Sequence, residues 1–166
     1  SATATTGDIT DSGNLTITGA ATFITGVDES NIVLDSSGNA FSNSVEMRAD
    51  AGGEDFGNIT FVDSAGIDFA TSAGSNGDLY INSSTDGTVG GNLSVTATTG
   101  NITDTVAVVT TGSSTSSFTT SATNGTIDLS TPASLAGAVT INTTGASGNA
   151  TIDNGTTALI IAASSI

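Results

Sequence analysis

Short segments in which apolar residues alternate with Thr, Ser or Asp recur along the whole chain. Examples are GNLTI from Gly13, GNITF from Gly57, GNLSV from Gly91 and GTIDL from Gly125. Alternation with a period of two over about five residues, bounded by Gly and Asn, is typical of half-buried strands. No segment has the spacing of an amphipathic helix. The pattern therefore predicts an all-β protein without helices, with one short strand about every ten residues.

A long internal repeat is superimposed on this rhythm. The stretch TATTGDITD at 3–11 returns as TATTGNITD at 96–104, which is 93 positions later. AFSNSVEM at 40–47 likewise corresponds to SLAGAVTI at 134–141, which aligns apolar positions with apolar positions. Self-similarity of this kind is a signature of repeat architectures.

The repeat defines the predicted domain organisation. At 166 residues the chain has the length of one domain. We predict a single segment, 1–166, made of just under two copies of a unit of about 93 residues, at about 3–95 and 96–166, with the second copy truncated.

Composition decides between the architectures that regular short strands allow. Hydrophobic residues make up 36% of the chain, many of them Ala, with six Phe, one Tyr and no Trp. A β-sandwich of this length normally needs more aromatic side chains in its core, whereas a solenoid needs only a thin inward row of aliphatics. The steady supply of alternating apolar residues also argues against disorder. We predict a parallel β-solenoid with coils of roughly 20 residues, in which Ile81 and Ile141 point inward.

Charge and missing residue types exclude several functions. Arg48 is the one basic residue against 16 acids, and the formal net charge is −15. Nucleic acids and anionic membrane surfaces both select for Lys and Arg, so neither is an expected partner. There is no apolar run long enough to span a membrane, so no membrane insertion is expected. The chain has no His and no Cys, which excludes catalytic triads built on them and disulfide bonds.

The acidic run RADAGGEDFGNITFVDSAGIDF, which starts at Arg48, contains the candidate metal ligands. Carboxylate oxygens are preferred ligands of calcium, although the run does not satisfy the calcium-binding nonapeptide of β-helices. No other cofactor is indicated. The five candidate calcium ligands are Asp50, Glu54, Asp55, Asp63 and Asp68.

A second chemistry for the same acids is polysaccharide cleavage. Asp63 and Asp68 could form an acid-base pair of the kind that glycoside hydrolases use. A sugar cleft normally adds aromatic platforms and basic residues, for which the chain offers Tyr80 and Arg48. We therefore interpret the two acids as solvated outward positions and expect no enzyme activity.

Nine asparagines lie in N-x-[ST] sequences, the acceptor pattern for N-glycosylation. The recurring Gly-Asn-apolar-Thr corner generates many of these automatically, so we interpret them as turn residues. They are Asn14, Asn58, Asn82, Asn92, Asn101, Asn124, Asn142, Asn149 and Asn154.

Sequences such as GGNLSVTATTGNITD and DSGNLTITGAATF resemble the β-strand repeats of giant bacterial surface proteins of the filamentous-haemagglutinin type. The resemblance extends over essentially the whole chain. It implies a right-handed parallel β-helix that is exported to the bacterial surface and forms a rod or fibre. No secretion domain, receptor-binding module or terminal cap of that family is found in this sequence.

These observations predict a non-catalytic structural module of a secreted fibre or adhesin stalk, extracellular or on the bacterial cell surface. The alternative is a module that binds or cleaves polysaccharide, and a surface glycan is a candidate ligand of either. Residues 1–7 and 159–166 read as interior strand sequence. Since a solenoid end presents unpaired backbone groups, we expect flanking repeats of the same chain, or copies stacked head to tail, to cover them.

Overall fold

The computed structural model describes residues 1–27, 29–49, 57–70, 78–81, 88–89, 91–110 and 113–166. Within these ranges the chain forms twenty β-strands and no helix. The strands are β1 Ala2–Ala4, β2 Ile9–Thr10, β3 Thr16–Ile17, β4 Ala21–Thr25, β5 Ile32–Leu34, β6 Ala40–Phe41, β7 Val45–Ala49, β8 Ile59–Asp63, β9 Ile67–Phe69, β10 Asp78–Ile81, β11 Thr88–Val89, β12 Leu93–Ala97, β13 Ile102–Asp104, β14 Val109–Thr110, β15 Ser116–Thr123, β16 Thr126–Leu129, β17 Ser134–Leu135, β18 Ala138–Thr144, β19 Asn149–Ile152 and β20 Ile160–Ile161.

One face of the stack is a seven-stranded parallel sheet in the order β2-β5-β8-β12-β15-β18-β20. Inward-facing residues lie opposite one another in neighbouring strands. Leu93, for example, lies opposite Ile59 on one side and Ser116 on the other. Each coil takes about 24 residues, somewhat more than the predicted 20. The predicted parallel β-solenoid is thus confirmed, and its right-handed sense stays a prediction.

Each coil contributes three strands in chain order. The coils are β1-β2-β3, β4-β5-β6, β7-β8-β9, β11-β12-β13, β14-β15-β16 and β17-β18-β19, and the second strand of each belongs to the seven-stranded sheet. The step from Ile59 to its partner Leu93 is longer than the others and contains the additional strand β10. Because β10 pairs with both β7 and β9, it joins first strands to third strands in an eight-stranded sheet, β1-β4-β7-β10-β9-β13-β16-β19.

The two copies of the sequence repeat occupy different faces of the solenoid. TATTGDITD begins in β1, the first strand of its coil, whereas TATTGNITD begins in β12, the second strand of its coil. The first copy therefore contributes, apart from β10, three full coils and one more strand. With three strands per coil, the second copy is rotated by one face relative to the first.

The core is a narrow column inside the coils. Along the seven-stranded sheet, alternate side chains point inward, and Ile32, Ile59, Leu93 and Val139 are almost completely buried. Aromatic rings extend the column across the first coils, with the centroid of Phe41 5.1 Å from that of Phe61 and 6.2 Å from that of Phe23. Ile141 is 4% exposed, as predicted, and the side chain of Ile81 lies outside the described part. Buried apolar side chains of successive coils thus form one continuous core.

Candidate functional site

A ladder of side-chain hydrogen bonds runs along the corner that precedes the seven-stranded sheet. The backbone N–H and Nδ2 of Asn31 both donate to Oδ1 of Asp8, at 2.7 and 3.2 Å. The same two groups of Asn58 donate to Oδ1 of Asn31, both at 2.8 Å. The N–H of Asn92 donates to Oδ1 of Asn58, and the N–H and Oγ1 of Thr115 donate to Oδ1 of Asn92. We call Asp8, Asn31, Asn58, Asn92 and Thr115 the asparagine ladder.

All hydrogen bonds of the asparagine ladder run in the same direction, from each coil to the preceding one. The backbone N–H of each asparagine donates to the preceding coil and its Oδ1 accepts from the following one, and in Asn31 and Asn58 the side-chain Nδ2 donates as well. Asp8 accepts two hydrogen bonds from Asn31, a task for which a carboxylate oxygen serves as well as an amide oxygen. Backbone N–H groups that would otherwise remain unpaired at the corners are satisfied along the ladder.

Glycine precedes two of the three ladder asparagines, Asn58 and Asn92, because neighbouring coils approach closely at these points. A Cβ at Gly91 would clash with the backbone carbonyl of Gly57, and a Cβ at Gly57 would clash with that of Ser30. The sequence pair Gly-Asn therefore combines close backbone approach with a ladder side chain. The interpretation of these asparagines as turn residues is incomplete, because Asn58 and Asn92 also form hydrogen bonds between neighbouring coils.

Two buried asparagines serve other corners. Asn39 accepts the N–H of Leu15 at 2.8 Å and donates to Oδ2 of Asp11 at 2.6 Å. Asn154 accepts the N–H of Leu135 at 2.7 Å and donates to three backbone carbonyls. Both are less than a tenth exposed, so these side chains replace backbone partners inside the corner.

Acids that follow the strands also bind backbone groups. Asp11 accepts the N–H groups of Asp35 and Ser36, and Asp104 accepts the N–H of Thr131 at 3.2 Å. Burial raises the pKa of Asp104. The pKa of Asp11 is lowered because its hydrogen bonds, with that from Asn39 the largest, outweigh the opposing effect of burial. These carboxylates close corners, so part of the acidic excess has a structural task.

Asp63 is the most deeply placed of the predicted site residues. It is 2% exposed and accepts the N–H groups of Phe41 and Ala65 at 3.2 and 3.3 Å. Burial raises the pKa of Asp63, and the backbone hydrogen bonds oppose this effect only in part. The prediction that Asp63 is a solvated outward position is wrong, because its carboxylate caps the backbone of β6, which pairs with no described strand other than β3.

The other predicted ligands are not brought to Asp63 by the described part of the structure. Asp68 is half-buried in β9 and accepts a hydrogen bond from Oγ1 of Thr103 at 2.9 Å. Asp50, Glu54 and Asp55 lie outside the described residues. Among the residues described, no three acids come close enough to hold a metal ion. The calcium site stays a prediction that depends on the run at 50–55.

The comparisons with known proteins concern the first coils. Residues 1–48 match the family model described as repeats of unknown function (DUF5649), which spans β1 to most of β7. Searches of curated proteins and of solved structures found no match. No helix in the described ranges is long and apolar enough to cross a membrane. The chain is thus similar to a repeat family over its N-terminal coils and is a β-solenoid throughout its described length.

Proposed function

We propose that the chain is a structural module of a secreted bacterial surface fibre or adhesin stalk, with no catalytic role. The observation that carries this proposal is the unbroken stack of the seven-stranded sheet together with the asparagine ladder. Both features join each coil only to its neighbours, so adding repeats lengthens the rod without changing its cross-section. A mechanical spacer needs this property.

The size of the stack supports the same role. Seven strands at a spacing of about 4.8 Å extend for about 29 Å along the axis. A protein with many such repeats would hold a terminal domain far from the cell. Because each repeat is rotated by one face relative to the preceding one, a surface group of the repeat would appear on a different face of the rod in each successive repeat.

The surface chemistry supports an extracellular location. A net charge of −15 makes such rods repel one another and remain soluble. Stability without a single Cys makes the fold independent of oxidation during export. Neighbouring repeats of the same chain are the partners that this arrangement requires.

Immunogold electron microscopy with an antibody against residues 1–166 tests the proposal on intact source cells. We expect gold particles along thin projections outside the envelope. Label confined to the cell interior would overturn the proposal. A screen of the purified chain against neutral and acidic polysaccharides tests the alternative, and turnover or saturable binding would favour it.

A further inference from the structure

The internal repeat places two aspartates at corresponding corners of the solenoid. Asp11 ends the stretch TATTGDITD, and Asp104 ends its second copy, TATTGNITD. Both carboxylates accept backbone N–H groups from the following coil, Asp11 from Asp35 and Ser36 and Asp104 from Thr131. We call these the Asp11 corner and the Asp104 corner. Because the same kind of side chain closes both, the two corners can be compared directly.

The two corners differ in what satisfies the second carboxylate oxygen. At the Asp11 corner, Nδ2 of the buried Asn39 donates to Oδ2 of Asp11 at 2.6 Å. The repeat aligns Asn39 with Ala133, which is also buried but has no donor in its side chain. Oδ2 of Asp104 is buried and makes no hydrogen bond to any residue of the described part. The second copy thus keeps the carboxylate and lacks its amide partner.

The strands around the Asp104 corner bring further negative charge and no cation. Arg48, the one basic residue of the chain, lies in β7, and two strands separate β7 from β13 in the eight-stranded sheet. Burial raises the pKa of the Asp104 carboxyl, and the charge of Asp128 adds to this effect, while the hydrogen bonds from Thr131 oppose it. The titratable groups nearest in register are all acids: Asp68 and Asp78 on one side of β13, and Asp128 and Asp153 on the other.

We propose that the Asp104 corner is a proton-operated joint, which is firmly closed while the carboxyl group is neutral and opens more readily once it is ionised. An ionised oxygen that is buried without a partner has lost its hydration, and opening of the corner returns it to water. A neutral carboxyl group loses much less on burial. At the Asp11 corner the charge is tolerated because Asn39 replaces the lost water. The proposal goes beyond the role of a spacer, since it gives the rod a position that responds to acidity.

The direction of the pH dependence follows from the difference between the closed and the open corner. In the open corner Asp104 has the ordinary aspartate pKa of 3.8, and in the closed corner its pKa is higher. Closure is therefore most favourable below pH 3.8 and weakens as the pH rises from that value to the closed-state pKa. The Asp11 corner has the opposite sign, because the pKa of Asp11 is lowered. It is firm above pH 3.8 and weakens only in stronger acid.

Two NMR measurements on the parent chain test the proposal. The first follows the side-chain carboxyl carbons of Asp11 and Asp104 through a pH titration and gives their pKa values. The second measures hydrogen exchange at the N–H of Thr131, with the N–H of Ser36 as the internal reference. The protection factor of Thr131 should fall as the pH rises above 3.8, and that of Ser36 should not. The fall should be about tenfold for each unit by which the pKa of Asp104 exceeds 3.8.

Three variants separate the carboxyl group from other causes. Asp104→Asn is neutral at every pH, so the protection of the Thr131 N–H should no longer depend on pH. Asp35→Asn removes one charge at an exposed position of the Asp11 corner and should leave the pH dependence at Thr131 as in the parent. Asn39→Ala removes the amide partner of Asp11 and should raise the pKa of Asp11.

Several results would overturn the proposed joint. On the parent chain these are a pKa of Asp104 at or below 3.8, or protection at Thr131 that does not fall as the pH rises. An equal fall at Thr131 and Ser36 would mean that the whole stack responds and that the Asp104 corner has no special role. A pH dependence that persists in Asp104→Asn would assign it to another group. The measurements on the parent chain decide the matter even if a variant does not fold.

Discussion

Removing one rung of the asparagine ladder should loosen the stack locally. In Asn58→Ala the chain loses the bond from Nδ2 of Asn58 to Oδ1 of Asn31 and the bond from the N–H of Asn92 to Oδ1 of Asn58, both 2.8 Å long. Each contributes about 1 kcal/mol net, so the free energy of unfolding should fall by about 1–2 kcal/mol. For a chain of this length we expect the Tm to fall by about 2–8 °C. Hydrogen exchange at the N–H of Asn92 should accelerate most.

The chain contains a matched control for this change. Asn149 also follows a glycine and precedes an apolar residue, but it lies in the edge strand β19, and its side chain makes no hydrogen bond to any described residue. Asn149→Ala should therefore leave the Tm nearly unchanged. Equal losses in the two variants, or unchanged exchange at Asn92 in Asn58→Ala, would refute the ladder as a source of stability.

Three further substitutions test other parts of the stack. Ile141→Asp should cost at least about 3 kcal/mol in urea unfolding because it buries an unpaired charge, whereas Thr140→Asp on the outer face should cost little. Burial raises the pKa of Asp63 above its ordinary value of 3.8, so the contribution of Asp63 to the free energy of unfolding declines as the pH rises from that value to the folded-state pKa. The stability of Asp63→Asn relative to the parent should therefore increase between acid and neutral pH. Gly91→Ala should lower the Tm by clashing with the carbonyl of Gly57; an unchanged Tm would show that the coils are further apart.

Much of the fold could be predicted because its determinants are local. Alternation in GNITF and GNLSV places Ile59 and Leu93 inward, and both are almost completely buried. The interpretation of the N-x-[ST] asparagines as turn residues is confirmed at Asn124, where φ is 61°, a left-handed value. These features depend on a few neighbouring residues, so a single sequence reveals them.

Features that join distant coils could not be predicted in this way. The ladder bond between Asn58 and Asn92 spans 34 residues, and its length depends on the step that contains β10. Recurrence of Gly-Asn before an apolar residue is the available signal, but by itself it indicates only turn residues. The burial of Asp63 does not follow from the alternation, because the sequence does not show that β6 pairs with no described strand other than β3 and leaves the N–H of Phe41 for the carboxylate. The rotation of the second repeat relative to the first depends on the number of strands per coil, which only the structure shows.

Disulfide trapping of the strand register tests the account most directly, since the chain has no native Cys. Ser94 and Ser117 lie opposite one another on the outer face of β12 and β15, at the spacing of about 4.8 Å between strands, within the Cα range of disulfides. The double variant Ser94→Cys with Ser117→Cys should form an intramolecular disulfide on mild oxidation, and Ser94→Cys with Thr140→Cys, two strands apart, should not. Equal trapping of both pairs, or of neither, would contradict an in-register parallel solenoid.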